Sequence, residues 1–282
     1  MLRAGSGGDV EVYLQRRHRK ATFMSSAFVF PGGAADADED DLRLTAAREL
    51  FEEAGVLLAP RHAHDKLGAS APALAEWRQR LNANTARFDE VAAGVGVGDS
   101  AASLELDQLS YFAHWITPSV EPKRFSAEFF LARLPPGQSA SPDHAEMVDE
   151  AWVTPAEALA RAGELCLPPP QVRIFFELRA LLGETAPSGA SAASTDDDAR
   201  FDALWRAAAE RARHRHPIMP RLMQRTAPLT LLLPWDPDYA TLGTGEALEM
   251  PAEHPLAVGP SRFVRENNTW IHTDAASSPS AG

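Results

Sequence analysis

The 282-residue chain contains a single cysteine, Cys166, and no apolar run approaching the ~18 residues needed to cross a bilayer. One thiol excludes an internal disulfide, a C-x-x-C redox pair and a zinc site built on several thiolates, and it favours a reducing compartment. Set between Leu165 and Leu167, that thiol reads as a small buried apolar residue. Positive charge is scarce as well. Lys and Arg total 27 against 39 Asp and Glu, a formal net charge of −12. A phosphate backbone repels such a chain, so general nucleic-acid binding is excluded. A phosphate-rich small molecule stays within reach if metal ions or a local basic pocket supply positive charge. The opening stretch MLRAGSGGDVEVYLQRR has no continuous apolar segment of the secretory kind. The expectation is a soluble cytoplasmic protein without membrane contact.

What is present is the composition of a folded protein, 45% hydrophobic and 23% charged. Residues 9–16 alternate, with Val10, Val12 and Leu14 on one face, which predicts a half-buried strand. The basic cluster Arg16-Arg17-His18-Arg19-Lys20 follows. SSAFVFPGG reads as a short strand stopped by Pro31-Gly32-Gly33, and residues 34–41 as an acidic loop. From Leu42 to Ala54 the period becomes helical, and Gly55 supplies the terminator.

Residues 60–107 read as a mostly helical insertion, with a helix over 75–88 and a flexible loop over Gly94–Gly98. Strands are expected in LSYFAHWITP, RFSAEFFLARLP and MVDEAWVTP, then helices over 155–162 and 170–182, each opened by proline. Residues 184–198 form a low-complexity linker. Beyond it, Phe201, Leu204, Trp205, Ala208 and Ala212 recur at helical spacing, and TLLLPWDPDY gives one more extended segment. Residues 276–282 read as a disordered tail.

The stretch that carries chemistry is RELFEEAGV, residues 48–56. On a helix, Ala47, Leu50, Phe51 and Ala54 share one face, and Glu49, Glu52 and Glu53 share the other. Like charges at that spacing repel by a few tenths of a kcal/mol per pair, roughly. A divalent cation among them would remove the conflict, and oxygen-only ligands select Mg²⁺ or Mn²⁺ over zinc. Taken alone, the pattern also fits a solvated glutamate-rich face.

Its context resembles the Nudix box, G-x5-E-x7-R-E-U-x-E-E-x-G-U with U aliphatic. The match runs from Gly33 to Glu39, then through Arg48, Glu49, Leu50, Glu52, Glu53, Gly55 and Val56. Eight residues instead of seven separate Glu39 from Arg48, and counting back from Arg48 falls on Asp40. Both acids stand as candidates for that position. The segments VYLQRRHRKATFMSSAFVFPGG, WITP, KRFSAEFFLA and EMVDEAWVTPAEAL extend the resemblance to the branch containing peroxisomal coenzyme A diphosphatases.

The resemblance implies an α+β Nudix fold over residues 8–183, a mixed sheet between helices, with the 60–107 insertion and a C-terminal extension over 199–275. It implies metal-dependent hydrolysis of a nucleoside diphosphate linked to another moiety. Coenzyme A or acyl-coenzyme A leads the substrates; NADH, ADP-ribose and nucleotide sugars follow, and a non-catalytic nucleotide-binding module is the alternative. Glu52 and Glu53 become metal ligands, Glu49 a third ligand or a base, and Glu39 or Asp40 a further acidic ligand. Arg48 orients the glutamates, and Gly32 and Gly33 let the backbone approach the phosphates. The oligomeric state is left open, with a homodimer as one candidate.

Other candidates are weaker. Glu146, Asp149 and Glu150 precede Trp152, where many Nudix enzymes place an extra glutamate; a solvated strand edge is the readier reading for any one of them, and Glu146, farthest into the loop, is the preferred candidate of the three. Lys123 and Arg124 sit in a hairpin-like connection that could present them to a pyrophosphate, Arg being shaped for bidentate contact, and Arg17 allows the same reading. His62-x-His64 and His214-x-His216 lack the spacing of a zinc hydrolase motif. The arginine-rich stretch from Arg200 to Arg225 reads as pairing with the protein's own acidic groups.

Overall fold

Alternation along Val10–Arg17 produces β2, the strand that organises the first sheet of this computed structural model. Residues 1–5, 9–21, 24–37, 39–60, 63, 71–98, 104–185, 197–223 and 228–275 are described. The expected linker falls largely, and the expected tail wholly, outside them. Strand β1 (Leu2–Ala4) pairs antiparallel with β2, Leu2 facing Val12. Strand β3 (Phe28–Val29) faces Gln15 and Arg16. Further along the chain, β6 (Met147–Val153) runs antiparallel along nearly all of β2, from Val153 opposite Val12 to Asp149 opposite Arg16. The register then slips, so that Arg17 faces Met147. A parallel bridge between Leu2 and Arg133 makes the sheet mixed.

Helix α1 (Leu42–Ala54) starts where the Asp41 carboxylate accepts the Arg43 amide at 2.9 Å. It stops at Gly55, whose φ of 73° is the left-handed cap that glycine adopts without strain. Ala47, Leu50, Phe51 and Ala54 are buried in one core with Tyr13 of β2. The core also takes Leu74 and Leu81 of α2 (Ala71–Asn82) and Phe88 and Val91 of α3 (Phe88–Gly94). Full burial of a side chain such as Phe51 contributes roughly 1.5–3 kcal/mol.

The insertion differs from its sequence reading. The single helix expected over 75–88 is two helices, because Asn84 takes the left-handed conformation (φ 55°) and the chain turns after α2. Gly94 closes α3 rather than opening a loop: a Cβ there would lie 2.0 Å from the Trp77 ring. Its glycine is a packing requirement.

Two compact units divide the chain without following its order, residues 1–110 with 130–153, and 111–129 with 154 onward. In the chain direction the second contains most of β4 (Ser110–Ile116) and β5 (Ser126–Leu131), which pair with each other. It also holds α4 (Pro155–Ala160), α5 (Pro169–Thr185) and α6 (Asp197–Arg213). Strands β7 (Arg221–Met223), β8 (Thr230–Leu232), β9 (Gly243–Thr244), β10 (Arg262–Glu266) and β11 (Thr269–Thr273) follow. They form an antiparallel sheet in the order β11-β10-β8-β7-β9, where the sequence reading placed one extended segment.

The arginine-rich stretch is largely satisfied internally. Arg211 meets the buried Glu177 at 2.6 Å, which also takes Arg173 at 2.6 Å, and Arg213 meets Glu210. Arg225 lies outside the described residues. Cys166 is exposed, correcting its expected burial: at φ 51° it sits in a surface turn beyond α4. No helix among the described residues is long and apolar enough to cross a membrane.

Candidate active site

The polar face of α1 is built around Arg48, only 7% exposed. Its Nε donates to Glu39 Oε1 at 2.8 Å and one terminal nitrogen to Glu39 Oε2 at 3.1 Å. The other terminal nitrogen reaches Glu49 and Glu52, each at 3.0 Å, and the Ala34 carbonyl takes a fifth bond. A planar fork can serve three carboxylates in this way, whereas a lysine ammonium presents a single point charge. The conflict among glutamates noted in the sequence is thus partly relieved by an arginine on the same helix.

Of the two rival acids in the loop, Glu39 faces Arg48. Its carboxylate also accepts the Thr45 hydroxyl at 2.8 Å and the Asp36 amide at 3.0 Å. These bonds hold the Glu39 carboxyl below its ordinary range against the opposing effect of burial. Asp40 is exposed and directed to solvent.

Glu53 lies apart from the Arg48 fork. It is 7% exposed, and its Oε2 accepts the Gly32 amide at 2.8 Å and the side-chain amide of Gln15. Burial, with the charge of Glu49, raises the Glu53 carboxyl to about 8 despite those donors and the nearby Arg17. Burial likewise raises Glu49 to about 7, with Arg48 opposing and Glu52 and Glu146 reinforcing. Glu52 is raised for the same first reason. Gly33 explains the second glycine of the turn, since a Cβ there would come within 2.3 Å of the Glu49 carboxylate.

Among the described residues, no group of three or more His, Cys, Asp or Glu side chains is gathered to hold a metal as it stands. The donor chemistry nonetheless suits a hard divalent cation. Three carboxylates share one helix face, and burial raises all three above the ordinary carboxylate range.

Glu146 enters this neighbourhood by its electrostatic effect on Glu49. Its backbone amide is held by Asp143 at 3.1 Å, and among the described residues its carboxylate has no protein partner. Its two rivals are engaged elsewhere: Asp149 pairs with Arg16 at 3.1 Å, and Glu150 accepts the Tyr13 hydroxyl at 3.0 Å. Arg17 follows the register slip in β2, a device that re-aims a side chain. Its Nε is buried without a partner, and its charge acts on Glu53. Lys123 and Arg124 belong to the second unit and make their contacts there. The Lys123 ammonium lies over the Phe125 ring, and Arg124 donates to the Thr117 carbonyl at 3.2 Å. His62 and His64 lie outside the described residues, and His214 and His216 flank His254 in the second unit.

Sequence reading missed Gln15 and Arg78. Gln15 is fully buried, with its Oε1 unpartnered. The signal was available, since Tyr13, Gln15 and Arg17 occupy the alternate face of β2, where a polar residue beside a site glutamate is informative. Arg78, on the inserted helix α2, donates to the carbonyls of Glu52 at 2.8 Å and Glu53 at 2.6 Å. No local motif announces it.

Comparison with known proteins gives the family. The family model described as the NUDT19 Nudix domain matches residues 38–181, just over half of the chain. The chain belongs to the Nudix family, in the NUDT19 branch. A Caenorhabditis elegans protein provisionally named nudix hydrolase 7 is 30% identical over 167 residues, covering 57% of this chain and 53% of that one. The acyl-coenzyme A diphosphatase NUDT19 of Xenopus laevis is 26% identical over 235 residues, covering 61% and 60%. Its Homo sapiens counterpart is 33% identical over 151 residues, covering 49% and 38%. The chain thus spans 38–60% of the length of these curated relatives. A NUDIX hydrolase from Alicyclobacillus acidocaldarius, solved by crystallography, is 26% identical with a TM-score of 0.47, covering 64% of this chain and 87% of that one.

Proposed function

We propose that the chain hydrolyses the diphosphate bond of a nucleoside diphosphate linked to another moiety, with coenzyme A or acyl-coenzyme A as the leading substrate. The observation that carries this reading is the arrangement on α1. Glu49 and Glu52 are held by the Arg48 fork, and Glu53 is held separately by Gly32 and Gln15. Nudix hydrolases generally use divalent metal ions, and Glu49, Glu52 and Glu53 would hold Mg²⁺ or Mn²⁺ here. Held there, the ion would supply positive charge against the charge developing on the diphosphate and would make water a better nucleophile at neutral pH.

The remaining tasks fall to the chain itself. Arg48 keeps two glutamates from splaying apart and is itself anchored by Glu39. Gly33 keeps the space before Glu49 free of a side chain, and the Gly32 amide holds Glu53. Glu146, unpaired and solvent-facing, accepts the proton of the attacking water, and Arg17 provides a cation beside Glu53 for a phosphoryl oxygen. The name carried by the Xenopus laevis and Homo sapiens relatives directs the substrate choice.

The test is a mass-spectrometric screen of purified protein with Mg²⁺ or Mn²⁺ against coenzyme A, an acyl-coenzyme A, NADH, ADP-ribose and nucleoside triphosphates. Glu53→Gln is the control. Turnover of a coenzyme A compound that falls at least a hundredfold in the control is the expected result. Preference for NADH or ADP-ribose would overturn the substrate choice, and binding without turnover would favour a sensing module.

A further inference from the structure

The inserted segment was left without a task by the sequence, yet one of its residues reaches the glutamate helix. The last turn of any helix leaves carbonyls without intrahelical partners. In α1 two of these belong to Glu52 and Glu53, and both are taken by Arg78, through Nε at 2.8 Å and a terminal nitrogen at 2.6 Å. Asn82, one turn further along α2, adds a bond to the Glu52 carbonyl at 3.2 Å. The same guanidinium donates to the Ser141 carbonyl at 3.0 Å, and the Ser141 amide donates to Ala54 at 3.0 Å. Ser141 begins the loop whose Asp143 cradles the amides of Ala145, Glu146 and Met147. One side chain therefore ties the end of the helix carrying Glu49, Glu52 and Glu53 to the loop carrying Glu146.

The helix behind Arg78 is itself fixed. Leu74 and Leu81 are buried in the core, and Trp77 lies so close to Gly94 that no side chain fits there. Arg78 and Asn82 project from the same side of α2 as these anchors, at spacings of three and four residues. The reach of the fork is thus set by packing rather than by a mobile stem.

We propose that Arg78 is a positioning residue for the diphosphatase site, holding Glu52, Glu53 and Glu146 in one mutual arrangement and giving the insertion its role in the reaction. The inference rests on the reading of the preceding section. A helix cap alone would affect folding and nothing else, so the test separates the two roles. Arg78→Met and Arg78→Lys are compared with Leu81→Ala, which weakens the same helix without touching the clasp.

Mn²⁺ affinity is read by electron paramagnetic resonance, kcat and KM on the best diphosphate substrate, and Tm by thermal unfolding. Arg78→Met is expected to lose at least tenfold in Mn²⁺ affinity and in kcat with KM nearly unchanged, while Leu81→Ala loses Tm without those changes. Arg78→Lys, with its charge but no fork, is expected to fall between. The proposal is overturned if folded Arg78→Met stays within twofold of wild type in both, or if both variants lose affinity in proportion to Tm. Should Arg78→Met fail to fold, Arg78→Lys is judged by the same limits. Mn²⁺ binding is measured without turnover, so a wild type that binds the ion but cleaves nothing would sink the hydrolase reading and leave the clasp to stand or fall on affinity.

Discussion

Arg48 and Glu39 are each nearly excluded from water, and their bidentate pairing sits at the centre of the site. Breaking one side of such a pair leaves a buried charge uncompensated, which costs on the order of 3 kcal/mol. Glu39→Gln is therefore expected to lower Tm and to slow turnover, because Arg48 loses the partner that aims its fork. Asp40→Asn, at an exposed position, should leave both within error. Thermal unfolding and initial rates on the two variants check the assignment, and the reverse ranking would give the acidic role to Asp40. Gly33→Ala is the companion experiment. Its added methyl meets the Glu49 carboxylate, so activity should fall at least tenfold while the fold survives, as circular dichroism would report.

At the scale of elements, the bounds of α1 were readable because both signals are local, the change of period at Leu42 and the terminating glycine at 55; the Asp41 cap emerges only in the structure. Strand β2 was readable from its alternation. The break after Asn82 was not, since Asn84 ends α2 by adopting a backbone conformation that its residue type permits but does not announce. The hairpin of β10 and β11, which the sequence reading did not place, turns on Asn267-Asn268, both with positive φ. The glutamates of the site were legible through their spacing and family pattern. Gln15 left a local trace, a polar residue on the alternate face of β2, but its partner Glu53 lies 38 residues away; Arg78, 25 residues from Glu53, left none. Packing in the insertion gives a further prediction. Gly94→Ala should destabilise by about 1–3 kcal/mol, since the methyl must displace Trp77 from a filled core. An unchanged Tm would show that the ring has room to move.

For the molecule as a whole, acid should act on the second unit through His272. Its ring stacks on Phe263 at 4.5 Å between centroids and its Nε2 meets the Pro260 carbonyl at 2.9 Å, leaving Nδ1 buried. Burial, aided by the Arg173 charge, depresses the imidazolium to about 3 from an ordinary 6.5. A base depressed in the folded state stabilises above its unfolded pKa and loses that contribution as pH falls. The window here runs from about 6.5 down to about 3. At two pH units below the unfolded value the loss is roughly 2–3 kcal/mol. Unfolding followed from pH 7 to pH 4.5 should show this slope in the wild type and a shallower one in His272→Phe; equal slopes would contradict it.

The pairing of β2 with β6 also bears on how the chain is made. Tyr13 and Glu150 stand 137 positions apart in sequence yet share a hydrogen bond. At roughly 5–20 residues per second of synthesis, β2 therefore waits several seconds or more for its longest partner. During that time β1 and β3 are already available, whereas the edge destined for β6 is not covered by it. The glutamate helix, complete by residue 54, emerges well before the loop that brings Glu146. Nascent chains halted before residue 147 should accordingly be more open to proteolysis near β2 than chains released past residue 153, which makes the ribosome a participant in the order of assembly.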